Sequence, residues 1–329
     1  MTVPAFSFLV ENPRTGKKVL FDLGVRKDWE NFPPKVVARL KAAGAKISVE
    51  KNVAEILGDL KNEIDEIIWS HSHFGIDSSI CDEVPIFHRN SQASSSTDHT
   101  GDPSTFPTST ALVVGPGLPG AQFPGYPTSS TSPILATDHA GRPVREISFR
   151  NDAITIGGYP SVDYWGDGSF YLLATPGHAV GHMSALVRTT PTTFAFLGGD
   201  ICHHGGQFRP TSAVPLPGPP YHPPCPGAVV MAAARAAHPR APCDTEPFYR
   251  IADTPGKTVA ADAALAQAQV VRLEAFDADE DVLVLIAHDT ALLGVVALWP
   301  QTANAWKAAG WKESVRWGFL NDLAKGGEK

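Results

Sequence analysis

The chain has 329 residues, 43% hydrophobic and 19% charged, with a formal net charge of −7, an ordinary globular composition with ample length for a core. The acidic balance, without any Lys/Arg cluster, excludes a nucleic-acid surface, and no apolar run approaches the ~18 residues of a membrane span. Residues 1–6 lack a basic start, so no signal peptide is expected, and four scattered cysteines (Cys81, Cys202, Cys225, Cys243) suit a reduced, cytoplasmic protein.

Residues 5–11 and 18–23 read as two strands joined by the turn Asn12-Pro13-Arg14-Thr15-Gly16, a hairpin. Residues 34–43 and 53–62 have helical apolar spacing, with Val36, Val37 and Leu40 in the first and Val53, Ile56, Leu57 and Leu60 in the second. Residues 64–69 form an apolar strand that ends abruptly in Ser70-His71-Ser72-His73. Alternate residues of an extended segment point the same way, so both imidazoles can reach one ion.

A short strand follows at 111–114. Gly115-Pro116-Gly117-Leu118-Pro119-Gly120 matches G-x-G-x-x-G in letters only. Two prolines and no helical pattern behind it make it a loop, not a dinucleotide site. Residues 146–149, 153–156 and 170–173 are strand-like, and the last leads into Thr175-Pro176-Gly177-His178. Residues 194–197 lead into Gly198-Gly199-Asp200, and 282–286 into Ala287-His288-Asp289. Each apolar run thus delivers one ligand-type residue at its end.

Residues 208–247 are dense in proline and read as a polyproline-like excursion over the surface, one wall of a substrate cleft. Residues 259–275 form an Ala-rich helix. Residues 304–325 are helical, with Trp306, Trp311 and Trp317 expected to pack into the core rather than serve an interface. No internal repeat is visible, and no G-x-S-x-G elbow supports a serine hydrolase.

These motifs resemble the metallo-β-lactamase superfamily, whose pattern is His-x-His-x-Asp-His, then a His, an Asp and a last His. The first block is interrupted: after His71-Ser72-His73-Phe74 the Asp-His pair comes only at Asp98-His99. Excising residues 75–97, 23 in all, restores His-Ser-His-Phe-Asp-His. That segment is Ser-rich without periodicity, and reads as a retained intron or as a disordered surface loop. The coding arithmetic permits an intron: GGT for Gly75 would supply its GT border, and ACA for Thr97 followed by the G of a GAC codon for Asp98 its AG border. Asp77 and His88 inside it are rival ligands, but neither reproduces an adjacent Asp-His pair.

The resemblance implies an αββα four-layer sandwich spanning residues 1–329 as a single domain, with two Zn(2+) ions, or Fe or Mn in their place. His71, His73 and His178 would hold one metal, and Asp98, His99 and His288 the second. Asp200 would bridge them in preference to Asp102, since the two oxygens of a carboxylate can address two cations. Asp98 and Asp200 are the catalytic carboxylates. Asp22, in Leu20-Phe21-Asp22-Leu23-Gly24, is similar to an early Asp-x-Gly element of the superfamily; it either braces the metal loop from behind or is a turn residue. His182 would be structural, while His203 and His204 could hydrogen-bond ligands or substrate.

The implied activity is that of a fungal-type metal-dependent hydrolase of secondary metabolism or detoxification. A metal-bridged hydroxide would attack the carbonyl of a small lactone, lactam or thioester. Two alternatives stand beside it: a mononuclear iron sulfur dioxygenase of the same superfamily, and a binding protein inactivated by the insert. The partner is a small-molecule substrate; the oligomeric state is open.

Overall fold

The computed structural model describes residues 3–72, 98–150, 154–240, 243–254 and 260–325. His73 and the 75–97 segment, with Asp77, Cys81 and His88, lie outside them. Strands β1 (Phe8–Asn12) and β2 (Lys17–Phe21) form the expected hairpin. Helices α1 (Pro34–Ala42) and α2 (Val53–Leu57) follow, and α2 tightens into a 3-10 turn over Gly58–Glu63. The change of pitch falls at Gly58, whose φ of 59° cannot continue an α-helix. β3 (Glu66–Ile68), β4 (Ala111–Val114) and β5 (Val144–Glu146) then add in parallel, giving a five-stranded sheet in sequence order.

The second sheet runs β6 (Ile154–Ile156), β7 (Tyr159–Asp163), β8 (Phe170–Ala174), β9 (Met183–Arg188) and β10 (Phe194–Leu197) as an antiparallel meander. β11 (Val282–Leu285) joins β10 in parallel after α4 (Ala228–Ala237) and α5 (Ala263–Ala278). The chain closes with α6 (Trp311–Arg316) and α7 (Leu320–Lys325).

Alternation along the strands builds the layers. Val19, Phe21, Ile68 and Val113 of the first sheet meet Leu172, Ala185, Leu197, Leu283 and Leu285 of the second in one core between the sheets. Their neighbours Leu20, Ile67 and Leu112 face outward onto Ala54 and Leu57 of α2 and Leu118. On the other side Leu173, Leu186, Phe196 and Val284 pack under Val270, Leu273 and Phe276 of α5. Each sheet therefore buries both faces, which makes an αββα sandwich. At about 1.5–3 kcal/mol per fully buried large apolar side chain, these three layers of contact supply the main drive to fold.

Four sequence expectations change. The segment after Gly115 is not all loop: Gly117, at φ 83°, opens a short helix α3 (Leu118–Gln122). Pro119 sits in its first turn, where a missing N–H costs nothing. The 208–247 excursion contains α4, formed where ten residues free of proline are mostly alanine. The strands β7 and β9, absent from the sequence reading, are stabilised by pairing with β8 on both edges. The Ala-rich helix begins later than expected, at Ala263, where the Asp262 side chain accepts from Leu265 N. The three tryptophans follow expectation. Trp306 and Trp317 are buried and Trp311 packs partly against the inter-sheet core. No helix among the described residues is long and apolar enough to cross a membrane.

Candidate metal centre

β8, β10 and β11 run in one direction, so the residues that follow them emerge at one end of the second sheet. These are His178, Asp200 and His288. β3 delivers His71 to the same end, and the Met183 N–H donates to the Ser70 carbonyl (2.8 Å), linking the two sheets beside it. The Asp98-His99 turn is held against the strand-end of β2 by Leu23 N to His99 O (2.8 Å) and Gly101 N to Gly24 O (2.9 Å). Trp69 Nε1 also donates to Thr100 O (3.1 Å). The loop bearing His178 is seated on the N-terminus of α5, with Asp262 N donating to Gly177 O (2.8 Å). A Cβ on Gly177, at φ 123°, would lie 2.3 Å from Ala266 N, so this close approach needs glycine.

Six of the seven sequence-nominated residues thus meet: His71, Asp98, His99, His178, Asp200 and His288, all buried. The seventh, His73, is outside the described residues. Asp200 is central. Its Oδ1 lies 3.0 Å from His99 Nε2 and 3.1 Å from His288 Nε2. Its Oδ2 lies 3.5 Å from His178 Nε2 and 3.6 Å from His71 Nε2. Asp98 faces the first pair, with Oδ2 3.5 Å from His288 Nε2. Donor atoms of Asp98, His99, Asp200 and His288 all lie within 4.8 Å of one another, as do those of His71, His178 and Asp200.

The imidazoles are oriented from behind. Asp22 Oδ2 accepts from Nδ1 of His99 (2.7 Å), and the Pro4 carbonyl accepts from Nδ1 of His288 (2.7 Å). With Nδ1 donating to these acceptors, Nε2 of each ring is the bare nitrogen in the neutral form. His182 has both nitrogens committed, Nδ1 to Thr175 O (2.9 Å) and Nε2 accepting from Asp200 N (3.1 Å), which is the structural part expected of it. His203 Nε2 is 3.3 Å from Asp200 Oδ2 at the partly open side, whereas His204 turns away to accept from Gly206 N. Asp102 pairs with Arg26 (3.2 Å) and does not join the cluster.

The donor set suits a divalent cation. Asp98 Oδ1, Asp200 Oδ1, His99 Nε2 and His288 Nε2 are buried and make no well-directed hydrogen bond, an arrangement costly to leave without a cation. Burial alone would lower His99 and His288, yet Asp200 and Asp22 hold His99 well above its usual pKa, and Asp200 and Asp98 raise His288 to about 9. Burial would raise Asp200, but His99, His288 and His203 keep it well below the usual carboxylate range. Imidazole and carboxylate donors together fit zinc, iron or manganese.

Beside Asp98 and His288 opens a cavity of about 580 Å³. None of the described residues of the proline-rich 208–247 segment lines it. Its walls come from the N-terminal strands, residues 46–57 and Leu298-Trp299, a grouping that the sequence does not signal. The proline-rich segment packs instead on the C-terminal helices, Val214, Leu216 and Met231 meeting Trp317 and Leu320.

No family model matches the chain. Its sequence is 41% identical to gamma-lactamase FDB1 of Fusarium pseudograminearum, across 97% of this chain and 74% of that protein. It is 38% identical to metallo-hydrolase mfmC of Annulohypoxylon moriforme, across 97% and 79% respectively. AiiA of B. thuringiensis, solved as a mutant with N-decanoyl-L-homoserine at its active site, shares the fold with a TM-score of 0.53 at 16% identity. That match covers 92% of this chain and 87% of AiiA. The chain belongs to the metallo-β-lactamase superfamily of hydrolases, in its fungal branch.

Proposed function

We propose that the chain is a binuclear zinc hydrolase that opens a small lactone or lactam, or cleaves a thioester. One observation carries the reading: the two oxygens of Asp200 face different histidine pairs, Oδ1 toward His99 and His288, Oδ2 toward His71 and His178. His71, His178 and, by sequence, His73 would hold one ion; Asp98, His99 and His288 the other; Asp200 both. When bound, such ions lower the pKa of water and polarise a carbonyl. The residues around them do the remaining work. Asp22 and the Pro4 carbonyl fix which nitrogen faces the centre. The cavity walls seat the substrate body beside Asp98 and His288 and shield the reacting bond from bulk water. The relatives named gamma-lactamase and metallo-hydrolase, and a fold neighbour holding an acyl-homoserine, support a cyclic amide or ester as the substrate class.

The test is elemental analysis of the purified chain together with ring-opening assays on a γ-lactone, a γ-lactam and a thioester. About two zinc ions per chain are expected, with hydrolysis lost on chelation and restored by zinc. One iron per chain with oxidation of a persulfide identifies the sulfur dioxygenase instead. A chain that binds no metal refutes both.

A further inference from the structure

The cavity beside the metal centre is lined by two chemically different kinds of residue, charged and apolar. Asp98 and His288 line it together with Lys46 and Lys51, and Asp98 is the only carboxylate among the described lining residues. The apolar lining includes Leu23, Ile47, Val49, Ile56, Leu298 and Trp299. Three of these are unusually bare for their size, with Ile56 48%, Leu298 62% and Trp299 46% exposed. Large apolar side chains gathered on a concave wall mark a surface that an apolar ligand covers. Neither lysine forms an ion pair among the described residues, although Lys27 and Glu55 next to them do so at 3.0 Å. Two lysines thus line a cleft that holds a single carboxylate among its described lining residues, in a chain of net charge −7.

We infer that the substrate is an amphiphilic acid. Its reacting ring sits at Asp98 and His288, its apolar body lies against Ile56 and Trp299, and a carboxylate on that body is held by Lys46 and Lys51. A carboxylate fits better than a phosphate. No arginine is among the described residues that line the cleft to offer a two-pronged donor, and α2 beside it, five residues long, is too short for its N-terminus to hold a phosphate. The ring end of this assignment rests on the hydrolase reading above; the acid end does not. Lys46 and Lys51 are specificity residues, acting on binding of the tail and not on the bond that breaks.

Binding is measured by calorimetry on the zinc-loaded chain, with a carboxypentyl cyclopentanone and its methyl ester. Both present a ring carbonyl with no ring bond to hydrolyse, and the methyl ester is checked to be intact after each titration. The acid is expected to bind about five- to tenfold more tightly than the ester at low salt. The advantage should vanish in raised salt and in a Lys46→Ala/Lys51→Ala double variant, both positions being exposed and free of packing duties. Trp299→Ala should weaken acid and ester alike. Equal binding of acid and ester by the unaltered chain, or a preference that survives loss of both lysines, overturns the inference. A chain that prefers the acid yet opens none of the matching lactones refutes the hydrolase reading and leaves this one standing; one that opens lactones while treating acid and ester alike does the reverse.

Discussion

Oδ2 of Asp22 lies 2.7 Å from Nδ1 of His99, while Oδ1 of the same carboxylate accepts from the backbone N–H of Ser70 at 2.6 Å. Asp22 holds this double grip from a left-handed backbone, φ 60°, the one non-glycine residue of the described chain in that region. It thereby ties the β3 histidine loop to the Asp98-His99 turn. An Asp22→Asn variant would present an amide N–H to one of these partners. Turned toward His99 it would move the ring proton to Nε2, the nitrogen facing Asp200. Zinc affinity of the Asp98/His99/His288 side should fall roughly 10- to 100-fold. Competition against a chelator of known affinity measures this, and an unchanged affinity refutes the bracing role.

Metal uptake should release protons. In the metal-free chain the carboxylates hold His99 well above its usual pKa and His288 at about 9, which favours the protonated form of both rings. A divalent cation needs both Nε2 atoms bare, so filling that side should expel about two protons. Affinity should rise with pH and level off above about 9. Calorimetry in buffers of different ionisation enthalpy counts the protons, and a pH-independent affinity between 6 and 9 contradicts the assignment.

Removing residues 75–97 should leave the centre intact. His71 and His99 flank the segment in sequence, yet their ring centroids are 4.4 Å apart, so the residues on either side of it already meet at the centre. Closing a loop of about 25 residues rather than a couple costs roughly 2 kcal/mol of chain entropy. The shortened chain should bind the same amount of zinc and gain up to about 2 kcal/mol in urea unfolding. Loss of metal on deletion would make the segment part of the site.

The two end glycines of Gly115-Pro116-Gly117-Leu118-Pro119-Gly120 should respond oppositely to alanine. A Cβ on Gly115 would sit 1.7 Å from the Gly181 carbonyl oxygen, in the loop between His178 and His182, while one on Gly120 meets nothing within 4 Å. Gly115→Ala should cost about 3 kcal/mol and disturb His178. Gly120→Ala, inside the short helix α3, should be neutral or stabilising by up to about 1 kcal/mol. Thermal unfolding of the two variants side by side decides it.

Arg209 anchors the proline-rich segment to α5 by donating Nε and Nη2 to the two oxygens of Asp277, at 2.8 and 2.5 Å, with both side chains buried. Burial would raise the Asp277 pKa, but Arg209 holds it below the usual carboxylate range. A depressed folded pKa gives stability that is present above the unfolded value and is lost as pH falls through the folded one. Asp277→Ala should cost about 3–5 kcal/mol at pH 7 by stranding a buried guanidinium. It should also flatten the acid limb of the stability profile, which urea titrations across pH 2–6 would register.

Much of this molecule is legible in its sequence because buried strands write their own pattern. The runs before His71, His178, Asp200 and His288 are apolar and short and end in ligand-type residues, which placed the strands and nominated the site together. The resemblance ordered those residues into two sets. Weaker signals went unread: β9 carries Ser184 and Ala185 among its apolar residues, and α3 carries prolines and a glycine, so neither shows a clean period until its neighbours are in place.

What the sequence determined by itself was the inventory: which side chains could bind a cation, which strands would carry them, and that the Asp98-His99 pair belongs with His71 across a 23-residue interruption. Only the tertiary structure decided how they meet. It set which histidines face each oxygen of Asp200, turned the His288 ring with a backbone carbonyl from Pro4, and walled the cavity with Ile47, Ile56 and Trp299 from distant segments. The reason is physical. Periodicity records whether a side chain is buried, a property of one element, whereas convergence, ring orientation and cavity shape are set by packing between elements far apart in the chain.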